Sequence, residues 1–148
     1  MSVFVDTGVL YAHHDTDASR HEDAVASLTQ VLTSAAHGRV MTSDYVYDEV
    51  VTLTQRRTGA VASGVEIGRR IRGEGYPDAF DLLHASPALF DDAVDVYEQY
   101  VDHELSFTDA MTVAMIAHHD IDAVLSFDDD FDGVVDRLVP EQIASDSD

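Results

Sequence analysis

The sequence predicts an α/β domain built on a parallel sheet. Short β-branched or apolar runs alternate with longer stretches of helical periodicity, the pattern of strands joined by crossover helices. The helix before the fourth run, "FTDAMTVAMIAHH", is apolar almost all round, as a central buried helix should be. In such sheets ligands gather outside the carboxyl ends of the strands, so the residues that close each run are the first place to look for chemistry.

The elements follow in order. "SVFVD" (2–6) reads as the first strand, and Gly8 loosens the turn after it. His13 and His14 are expected to sit exposed after a short first helix. Residues 19–37 place Ala24, Val25, Leu28, Val31 and Leu32 at the i, i+3, i+4 spacing of an amphipathic helix. "GRVMTS" (38–43) is a second strand, after which Ser43 or Asp44 caps a helix running to about Arg57. That helix offers Val46, Val50, Val51 and Leu53 to the core, and another covers 60–73. "AFDLLHAS" (79–86) is a third strand, and Pro87 opens a helix through 101. Ser106 or Thr108 starts the apolar helix. "AVLSF" (123–127) and "RLVP" (137–140) complete five strands. The organisation is one domain over 1–143 with an acidic, frayed tail at 144–148.

Composition narrows the chemistry. The chain of 148 residues carries 29 acids against 8 basic residues, all of them Arg, for a net charge of −21. A hydrophobic content of 45% nevertheless argues for a packed core over wholesale disorder. Self-repulsion of this size destabilises a compact fold unless salt screens it, so adaptation to a saline cytosol is expected. The absence of Cys excludes disulfides, zinc–thiolate sites and thiol nucleophiles. No uninterrupted apolar run approaches the roughly 18 residues of a membrane span. The amino-terminal "MSVFVDTGVL" lacks the basic region of a signal peptide, so a cytoplasmic protein is expected.

Four acids fall where the sheet rule directs attention. Asp6 closes the first strand and Asp128 follows the fourth. Glu49 lies about a turn into the helix after the second strand, and Asp109 lies in the first turn of the buried helix. Brought together without a counterion they would repel one another and raise their own pKa values. A divalent cation reverses that cost, and an oxygen-only cluster suits Mg²⁺ or Mn²⁺, ions that support phosphodiester hydrolysis. Each acid taken singly also has a plain structural role open to it. Asp109, three residues after Ser106, fits a variant capping box; Glu49 fits a solvated helix position; Asp128 to Asp132 fit a charged turn. Asp6 is the hardest to explain by packing.

Four segments, "FVDTGVL" (4–10), "DEVVTL" (48–53), "SFTDAMTVAM" (106–115) and "LSFDDDF" (125–131), together resemble the acidic signatures of PIN-domain ribonucleases. The likeness is closest to the single-domain VapC-type toxins of toxin–antitoxin pairs and covers nearly the whole chain. It implies a three-layer α/β/α fold with a mostly parallel five-stranded sheet. It also implies an Mg²⁺- or Mn²⁺-dependent endonuclease of RNA, using one or two ions, that forms a homodimer and is held by a separate antitoxin chain. Carried over by position, Asp6, Glu49, Asp109 and Asp128 would be the metal-binding acids. Asp130 or Asp132 would add a peripheral carboxylate, and Thr7 and Ser126 supporting hydroxyls. One departure is Gly8, where the family often has Asn or Ser.

Five of the eight arginines, Arg56, Arg57, Arg69, Arg70 and Arg72, fall in one segment after Glu49. Guanidinium forks suit phosphate, so this segment is the expected RNA-binding surface; pairing with nearby acids is the alternative. Tyr45, Tyr47 and Tyr76 are either base-stacking residues or half-buried core. Two other functions compete. One is a catalytically silent PIN-like module that binds RNA or protein. The other is a haloacid-dehalogenase-like phosphatase, which "VFVDTGV" superficially resembles. That chemistry wants a second acid where this chain has Gly8, and a Lys that the chain lacks.

Overall fold

The computed structural model describes residues 1–34, 38–74 and 80–146. Five strands form one sheet in the order β3-β2-β1-β4-β5, every neighbouring pair parallel: β1 (Val3–Val5), β2 (Val40–Ser43), β3 (Phe80–Leu83), β4 (Ala123–Leu125) and β5 (Arg137–Leu138). Among the described residues seven α-helices flank it: α1 (Thr7–His14), α2 (His21–Thr33), α3 (Asp44–Thr58), α4 (Val61–Arg69), α5 (Pro87–Gln99), α6 (Phe107–His118) and α7 (Pro140–Asp146). The expected three-layer α/β/α architecture is what the chain adopts.

The sequence cues act as read. β1, β2 and β4 are buried along their whole length, which is why they read as continuous apolar runs. Ser43 caps α3 by accepting the Val46 N–H at 3.2 Å, and Ser86 caps α5 by accepting that of Leu89, with Pro87 at the first helical position. Every residue of α6 from Asp109 to Ile116 is buried, so this helix is the inner one its composition demands. Phe4, Leu10, Leu28, Met41, Met111 and Leu125 form the centre of the core.

Four expectations shift. The helix foreseen over 60–73 ends at Arg69 and continues as a wider turn, Arg70–Glu74, in which Gly73 takes a φ of 106° that favours glycine. The last strand stops at Leu138, because Pro140 opens α7. Residues 144–146 therefore continue a helix where a frayed tail was expected; α7 packs on α2, with Ile143 against the core. Finally, His13 and His14 belong to the last turn of α1 and are half-buried. Tyr76 lies outside the described residues.

Candidate active site

β1 and β4 lie side by side at the centre of the sheet, and their onward connections lead to opposite sides, to β2 and to β5. This is the switch point at which a parallel sheet opens a crevice at its carboxyl edge. Asp6 leaves β1 there and is the residue preceding α1, yet its carboxylate caps nothing. Instead Asp6 Oδ2 accepts a hydrogen bond from Ser126 Oγ at 2.7 Å, just beyond β4. Ser126 Oγ in turn accepts the Asp128 N–H at 2.9 Å, so one hydroxyl positions both acids. Asp128 Oδ1 accepts the Asp130 N–H at 2.9 Å, and the fully buried Phe131 anchors the short turn that follows.

The other two acids arrive on helices. Glu49 stands one turn into α3, half-buried, in an open cleft of about 510 Å³ that is also lined by Asp6, Thr7, Gly8, Arg20, Leu53, Phe127, Asp128 and Asp129. Asp109 does close a capping box on α6. Its Oδ2 accepts the Ser106 N–H at 3.0 Å while its own N–H donates to Ser106 Oγ at 3.1 Å. The box engages one carboxylate oxygen of Asp109 and leaves the other. The same holds for Asp6 and Asp128, each with one oxygen engaged by the protein.

Electrostatics ties the four together. Burial is the main force pushing Asp6 up to about 7; the Ser126 hydrogen bond opposes it, and the charges of Asp109 and Glu49 add to it. The Thr7 N–H favours the ionised form without making a hydrogen bond of normal geometry. Asp109 rises to about 6, again chiefly by burial, with Ser106 opposing and the charges of Asp128 and Glu49 adding. Two buried oxygens, Asp6 Oδ1 and Thr7 Oγ1, have no hydrogen-bond partner among the described residues. Buried polar atoms are rarely left so, and adjacent ones on an acid and a hydroxyl mark a place for a cation.

The remaining candidates separate. Asp130 is raised, first by the charge of Asp128, and its carboxylate lies within 4.8 Å of those of Asp128 and Asp129. Asp132 is exposed and held by Arg137, whose Nε and Nη2 donate to its oxygens at 2.8 and 3.1 Å. Its pKa falls as a result, unlike those of the buried acids. The arginine segment divides as well. Arg57 stacks its guanidinium over the Tyr11 ring at 4.7 Å, next to the cleft. Arg69 lies 3.8 Å from Glu74, and Arg70 meets the Nδ1 atoms of His14 and His13 at 3.0 and 3.4 Å, beside a different hollow. Arg56 and Arg72 are exposed. Tyr45 and Tyr47 are half-buried against the core, Tyr45 with its ring 6.0 Å from that of Phe107. Burial and the Arg70 charge drive His13 down to about 4.

One cleft residue was missed from sequence: Arg20, whose guanidinium lies 4.8 Å from the centre of the Phe127 ring. A signal was present. Arg20 immediately precedes α2, where the helix dipole disfavours a cation, and a chain with so few basic residues still places one there.

With this geometry in view, the comparisons decide the family. The PIN domain model matches residues 3–136. The chain belongs to the PIN-domain family. Among solved structures it is similar to the VapC20 toxin of Mycobacterium tuberculosis, described as a sarcin–ricin loop cleaving toxin. The two share 28% identity at a TM-score of 0.73 over 87% of this chain and 92% of that one. It shares its fold with a toxin–antitoxin complex from Klebsiella pneumoniae, at 18% identity and a TM-score of 0.64, covering 93% of this chain and 97% of that one. FitAcB from Neisseria gonorrhoeae is alike in fold at 17% identity, the same TM-score of 0.64 and the same coverage of 93% and 97%. No protein of curated function matches the sequence significantly. Among the described residues of this PIN domain no helix is long and apolar enough to cross a membrane.

Proposed function

We propose that this PIN domain is a divalent-metal-dependent endoribonuclease and the toxin of a toxin–antitoxin pair. The observation that carries the proposal is the orphaned, buried Asp6 Oδ1 among acids whose charges add to the burial that raises Asp6 and Asp109. Such a group is costly by itself and becomes favourable around a hard cation, and the donor set is entirely oxygen, which fits Mg²⁺ or Mn²⁺. Asp6, Glu49, Asp109 and Asp128 would hold the metal, with Asp130 at the periphery. When bound, the ion supplies Lewis acidity and charge neutralisation toward a phosphodiester.

The chain's own residues do the rest. Ser126 fixes the Asp6 carboxylate and holds the Asp128 backbone, the Asp130 N–H fixes the Asp128 carboxylate, and Ser106 fixes Asp109, so three carboxylates keep their remaining oxygens aimed without reorganising. Thr7 Oγ1 adds a neutral donor or acceptor beside Asp6. RNA as the substrate class is supported by the likeness to the mycobacterial sarcin–ricin loop cleaving toxin. A separate antitoxin chain is the expected partner, as in the Klebsiella complex. We extend the proposal to a homodimer, supported by the exposed Phe90, Tyr97 and Val101 on and just after α5. The test is cleavage of single-stranded RNA with Mg²⁺ or Mn²⁺ at high salt, comparing wild type with Asp6→Asn. Wild-type cleavage that chelation abolishes and Asp6→Asn lacks is the expected result. Equal cleavage by both proteins overturns the assignment.

A further inference from the structure

The acid cleft does not end at the acids. It shares Gly8, Arg20, Leu53 and Phe127 with an adjoining hollow lined by Tyr11, Ala12, Asp15 and Arg57, so the two make one groove. Its walls are the facing sides of α1 and α3, which pack on each other. Along α3, Glu49, Leu53 and Arg57 recur at i, i+4 and i+8, one line of side chains spanning about 12 Å of helix axis. Along α1, Gly8, Tyr11, Ala12 and Asp15 form the matching stripe. A Cβ at Gly8 would come only to 3.9 Å from Phe127, so the floor between the stripes is low there.

Two guanidinium groups stand over this groove, Arg20 above the Phe127 ring and Arg57 above the Tyr11 ring. Among the described residues neither forms an ion pair, in a chain with 29 acids, whereas Arg39, Arg69 and Arg137 do. A guanidinium has five N–H donors, more than one aromatic neighbour can engage, so each of these groups keeps donors for an anion. Asp15, which lines this hollow together with Asp17, is engaged by the Tyr11 hydroxyl and the Asp17 N–H.

We infer that this groove is the track for a single-stranded RNA backbone, with Arg20 and Arg57 as positioning residues that hold phosphates beyond the scissile one. The inference rests on the nuclease reading of the acid cleft and assigns its substrate path. A strand, not a mononucleotide, is required to touch both Glu49 and Arg57. Arg69 lies outside the track, since it is turned to Glu74 beside another hollow.

The experiment measures binding of a fluorescein-labelled single-stranded RNA oligonucleotide to full-length Asp6→Asn protein by anisotropy across a salt series. Arg20→Gln and Arg57→Gln are each expected to weaken binding about tenfold. Each should also reduce the slope of log Kd against log salt by about 0.7. Arg69→Gln should change neither, and circular dichroism confirms that each variant folds. On the Asp6 background, cleavage kinetics of the same arginine changes should raise KM with little loss of kcat. Unchanged binding in both Arg20→Gln and Arg57→Gln, or a loss matched by Arg69→Gln, overturns the track. Arginine-dependent binding without metal-dependent cleavage by wild type leaves the track standing and removes the nuclease reading. Asp6-dependent cleavage indifferent to both arginines does the reverse.

Discussion

Two serine–aspartate pairs join β1 to β4, one at each end, and they do opposite things. At the amino edge Asp122 Oδ2 accepts from Ser2 N–H at 2.7 Å and Ser2 Oγ at 3.2 Å, while Asp122 N–H donates to Ser2 Oγ at 3.0 Å. At the carboxyl edge Ser126 donates to Asp6 at 2.7 Å. Both pairs are separated by 120 residues in sequence. Asp122 is surrounded by donors and water, and its pKa falls, first through the Ser2 backbone bond. Asp6 is buried with one oxygen unpartnered, and its pKa rises to about 7. The same two residue types thus make a clip where solvent completes the carboxylate's shell and a site where nothing in the protein does.

The comparison breaks most visibly on neutralising each acid. Asp6→Asn should lower metal-dependent RNA cleavage about a thousandfold, the scale of several kcal/mol of lost charge stabilisation. Asp122→Asn should leave the cleavage rate close to wild type. Next in size, Ser126→Ala removes the hydroxyl that orients the Asp6 carboxylate and holds the Asp128 backbone. Calorimetric Mn²⁺ affinity should fall about ten- to a hundredfold, while Ser2→Ala leaves it unchanged.

A sharper distinction is the sign of the pH dependence. Asp6 is raised from 3.8 to about 7 and Asp109 to about 6, so the metal-free native state holds more protons than the unfolded chain between those values. Their contribution to stability is fully present below the unfolded pKa and is lost as pH rises through about 6 to 7. Asp122 runs the other way: its clip is present above the unfolded pKa and lost in acid. Denaturant unfolding of chelated protein should therefore show stability falling from about pH 4 to 7, a slope that Asp6→Asn flattens and Asp122→Asn does not. The smallest difference between the two ends is expected in salt. Potassium chloride into the molar range should stabilise wild type and both variants alike, because screening acts on the whole acidic surface.

Much of this was legible before any coordinates. Runs such as "VFV" and "AVL" read as strands because both faces are buried, and α6 read as central because no face is polar. Asp6, Glu49, Asp109 and Asp128 stood out because acids at strand ends and first helical turns have few packing reasons to be there. What escaped depended on contacts that no local pattern encodes. Arg20 acquires its meaning from Phe127, and the arginine segment divides because Arg57 meets Tyr11 while Arg70 meets His13 and His14. α7 is short, begins at a proline after an edge strand and shows only Ile143 to the core, too little periodicity to announce itself.

The 120-residue separation of Asp6 and Ser126 has a consequence for how the molecule comes into being. β1 is synthesised well before its neighbour β4 and the Ser126–Asp128 turn, which emerge some 120 residues later. No nascent fragment that stops short of residue 126 contains the paired acids, however well its amino-terminal half has folded. The two acids at the carboxyl edge therefore share their serine only after the chain has passed residue 126 and β4 has docked on β1. Closure of the central sheet, late in the chain's own order, is the step that builds the cleft.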